Sequence, residues 1–95
     1  MRAARQALFA SGLAENLRLA QQYLERADEL PAAWQDASEF STYGLLVSPA
    51  ELRDVIARID AILRPLRAPV RDDPPADARV VRVVLDAFAR VDLEP

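Results

Sequence analysis

Four aromatic side chains, Trp34, Phe40, Tyr43 and Phe88, together with Arg82, are the residues of this 95-residue chain best suited to holding a small molecule. Small-molecule sites are apolar clefts with a few placed polar groups, and a guanidinium among rings would grip an acidic ligand. The same aromatics equally suit a plain interior, where rings dominate the burial of a small domain. Arg82 could instead meet Glu39 as an exposed cross-strand ion pair, which contributes little. Covalent chemistry has less to work with. Cys and His are both absent. That excludes disulfides, thiolate or imidazole metal sites, and Cys- or His-based catalysis. The adjacent carboxylates Asp72 and Asp73 lie in "VRDDPP", and acid–base work needs carboxyls held in a cleft with separated pKa values. A proline-rich loop is a poor place for that. With two glycines there is no phosphate-cradling loop, and no metal-spaced acidic cluster is visible. The chain reads as no enzyme, with no catalytic residue, metal site or cofactor.

Composition narrows the class further. All 12 basic residues are arginine and the formal net charge is −3. Arginines such as those of "LERADEL" and "VRDD" have acidic neighbours, whereas a phosphate-binding surface needs a clustered basic excess. Direct nucleic-acid binding is therefore not expected. An apolar content of 52% argues against wholesale disorder, and no apolar run approaches the roughly 18 residues of a membrane span. The first residues meet Glu15 and Asn16 too early for a secretory signal. The expectation is a cytoplasmic protein with no membrane association, and its arginine- and alanine-rich usage suggests a GC-rich genome.

The elements that would position these residues follow from spacing. Residues 3–30 carry a helical pattern, with Ala10, Leu13, Leu17, Ala20, Leu24 and Ala27 recurring three and four apart. Ser11-Gly12 weakens the first part and allows a kink, and Pro31 ends the helix. Such a rod is roughly 40 Å long, more than the remaining chain can cover. Leu13, Leu17, Ala20, Leu24 and Ala27 are therefore expected to form a homodimer interface. After a "PAAW" connector, residues 38–47 read as a strand with apolar side chains on both faces, Gly44 marking a bulge or a close backbone approach. Next comes the sharpest local signal, "SPAE". Ser48 caps, Pro49 takes the first helical position, and Glu51 reaches back to complete a capping box. The helix over 49–64 has one apolar face with Leu52, Val55, Ile56, Ile59, Leu63 and Leu66, and it pairs Asp54 with Arg58 and Asp60 with Arg64. A loop fills 67–78. Residues 79–89, "RVVRVVLDAFA", favour a second strand through their valines, a helix being the rival reading of 80–91. The fold expected is one α+β domain over 1–95: a long helix, then strand–helix–strand, with a small antiparallel sheet packed on helices and a second copy of the chain as partner.

The stretch "LPAAWQDASEFSTYGLLVSPAELRDVIARIDAILRPLR", followed by "ADARVVRVVLDAFAR", resembles the C-terminal half of a group of ArsR-like winged-helix transcriptional regulators from actinobacteria. In that group a Trp-containing connector, a strand, a "Leu-Thr-Pro-Glu-Glu-Leu"-type helix start and a Val-rich final strand follow the DNA-binding domain. Here the corresponding start is "VSPAEL", Val47 to Leu52. The likeness covers about residues 30–90, with 3–29 fitting the preceding linker helix. It implies a dimerisation and effector-sensing domain, reaching DNA only through a winged helix to which no residue here corresponds. Ala89 stands where the group often has proline, and the arsenic-sensing cysteine of the founding regulators has no counterpart. The other function weighed is a stand-alone domain that binds a small molecule or another protein through an aromatic-lined crevice.

Overall fold

The computed structural model describes residues 2–93 and divides the chain into two units, Met1–Thr42 and Tyr43–Pro95. The first is built on α1, Arg2–Arg26. Its composition is rich in Ala, Leu, Gln, Glu and Arg, the residues that lose least on entering a helix. The helix runs unbroken through Gly12. On its surface Arg18 donates from Nε and Nη2 to the two carboxylate oxygens of Glu15, at 3.0 and 2.7 Å. The last turn tightens into a 3₁₀ turn, Ala27–Glu29. There Arg26 donates twice to Glu29, at 2.9 and 3.0 Å. Leu30 leaves the helix with φ −91° and ψ 150°, the extended conformation that the ring of Pro31 imposes on its predecessor.

The "PAAW" connector is a helix. α2, Ala32–Ala37, starts at Pro31, whose carbonyl accepts from the amides of Trp34 and Gln35 at 2.9 and 3.2 Å. Gln35 Nε2 donates to the Leu30 carbonyl at 2.8 Å. The amide and hydroxyl of Ser38 both donate to the Trp34 carbonyl, at 3.2 and 2.7 Å, and end the element. Beyond it the Phe40 ring lies beside Tyr23 of α1, centroids 5.9 Å apart and planes tilted by 48°. Rings meeting at that distance off-parallel gain from edge-to-face electrostatics. This contact ties residue 40 back to the last turn of α1.

The second unit is built on α3, Pro49–Leu63. The Ser48 hydroxyl accepts from the Glu51 amide at 3.1 Å, and the Glu51 carboxylate accepts from the Ser48 amide at 2.9 Å. Pro49 stands at the first helical position, where a missing donor costs nothing. Arg58 pairs with Asp54 at 2.9 Å, and Arg64 pairs with Asp60. A 3₁₀ turn, Arg64–Leu66, carries Pro65 and closes the helix. The chain then turns at Arg67, whose carbonyl accepts from the amides of Val70 and Arg71 at 3.0 and 2.9 Å. Asp73 adopts φ 52°, a left-handed conformation that Asp reaches more readily than most residues.

The α+β expectation is corrected. Among the described residues there is no strand: residues 38–47 and 79–89 are without regular structure. β-propensity expresses fit to a pleated, half-covered surface, and two short strands with no third element beneath them are marginal in water. Valines and aromatics alone do not supply the missing ladder. The Gly44 reading falls with the sheet, since open space lies where its Cβ would stand.

Among the described residues no side chain is buried. The most sheltered positions of the first unit are half-buried and follow one face, Gly12, Asn16, Leu19, Ala20 and Tyr23, continuing through Ala27 and Leu30 to Trp34. Those of the second are Leu52, Val55, Ile56, Ile59 and Leu63 of α3, the apolar face read from helical spacing apart from Leu66, which lies in the following turn and is exposed by 53%. The chain exposes 9005 Å², where a self-sufficient folded protein of its mass exposes about 5,400 Å².

Candidate functional site

The site with the clearest geometry is a surface of α1. Successive helical residues advance by about 100°. Leu13, Leu17 and Leu24 therefore share an arc of about 40°, centred about 100° around the helix from the half-buried face. Their exposures are 45%, 59% and 67%. The five residues expected at an interface thus divide. The three leucines form an open apolar stripe, while Ala20, at the border of the two faces, and Ala27, in the 3₁₀ turn, are half-buried. Phe9, exposed by 56%, lies about 60° from the stripe, while Leu8, exposed by 75%, points almost opposite to it. Scattered exposed apolar side chains are ordinary, whereas these three leucines lie on one helical face.

Charged side chains of the first unit form local pairs along the chain. Glu15–Arg18 and Arg26–Glu29 each close over three residues. The hydrogen bonds from Arg26 hold the Glu29 carboxyl below the usual carboxylate range. Those to Glu15 and Glu29 raise the guanidinium pKa of Arg18 and Arg26. Near the other end of the chain Arg90 donates to Asp92 at 3.1 and 2.6 Å and lowers the Asp92 carboxyl likewise. These groups are exposed, and such pairs order side chains more than they stabilise the fold.

The aromatic set is distributed otherwise. Trp34 is half-buried and, with Phe40, belongs to the first unit; Tyr43, Arg82 and Phe88 belong to the second. Phe40, Tyr43 and Phe88 are exposed. The sheet that would have set Glu39 opposite Arg82 is not formed. The aromatic partnership of the structure, Tyr23 with Phe40, joins residues 17 positions apart and has no short-range signature. α2 did have one, in "PAAW": proline at a helix start followed by two alanines. Among the described residues no group of three or more acidic side chains is placed to hold a metal ion, and no helix is long and apolar enough to cross a membrane. No family model, curated protein or solved structure matches this chain.

Proposed function

We propose that this chain is a cytoplasmic assembly module, the dimerisation and effector-sensing part of an ArsR-like winged-helix transcriptional regulator, which completes its fold on a second copy of itself. The single observation that carries the reading is the open Leu13–Leu17–Leu24 stripe on a chain with no buried side chain among its described residues. A 10.5 kDa chain with that much apolar side chain in water gains from any surface that covers it, at about 25 cal/mol per Å² removed. An identical helix presents the same leucines, so one interface serves both copies. The "VSPAEL" helix start and the Trp-containing segment before it support the regulator family. The sheet implied by that likeness is not part of the single chain, so the proposal rests on the helical stripe and the motifs.

In such a regulator the module holds two DNA-reading domains at a fixed separation, as the spacing of half-sites demands. An effector would act by binding one arrangement of the two copies more tightly than another. Sedimentation at micromolar concentration is expected to give twice the chain mass, and Leu17→Asp to return it to the single-chain value. A single-chain mass for the parent protein would overturn the proposal.

A further inference from the structure

We draw no further inference here: the strongest candidate, the open end of the apolar face of α3, where Ile62 and Leu66 of the following turn are exposed by 68% and 53%, is a surface patch and nothing in the structure shows what covers it.

Discussion

Replacing Ser48 by alanine removes the oxygen that accepts from the Glu51 amide and leaves one of the helix's first donors to water alone. The expected cost is about 1 kcal/mol, read as a lowered urea midpoint with unchanged slope. At Glu29 the prediction concerns protons. Its carboxyl is lowered by hydrogen bonds from Arg26, so the pair is present above the ordinary carboxylate pKa and disappears as pH falls through the depressed value. Carboxyl-carbon NMR should show Glu29 titrating below ordinary glutamates, and Arg26→Gln should return it to the ordinary value. The contrast between these residues and the aromatics shows what a sequence can carry. A cap lies within four residues of what it caps, so "SPAE" contains both hydrogen-bonding partners. The Tyr23–Phe40 contact depends on the turn at Pro31 and the path of α2, and neither ring's neighbourhood announces it.

α1 tests its own continuity. Gly12 sits inside an unbroken helix, and a Cβ added there meets nothing within 4 Å. Gly12→Ala is therefore expected to stabilise α1 by up to about 1 kcal/mol, seen as greater helical ellipticity and later melting. A loss of dimer mass in that variant would instead mark Gly12 as a point where the second copy's backbone passes. Helices were more legible than strands here for a reason of connectivity. A helix satisfies its backbone within a few residues, so Ala, Leu and a proline stop in "ADELPAAW" carry most of the information. A strand's hydrogen bonds lie on another segment, and residues 38–47 and 79–89 have the composition of strands without that segment. The valine run describes what it could pair with, not what it is paired with.

For the whole molecule, folding and association are expected to be one event. A protein that binds its own kind only when folded is stabilised by mass action. Thermal midpoints should rise by a few degrees for each tenfold increase in chain concentration, whereas a concentration-independent midpoint would mark a self-sufficient fold. The length and spacing of α1 made its open leucine stripe foreseeable. The amount of surface left open was not foreseeable, because it depends on a sheet that the chain by itself does not build. The lack of any buried side chain among residues 2–93 then bears on turnover in the cell. Proteases cleave chains in proportion to the time their backbone is open. If the chain pairs as proposed, a copy synthesised without its counterpart is expected to be degraded early through residues 79–93, which have no regular structure, so that abundance follows the supply of pairs and not the rate of translation.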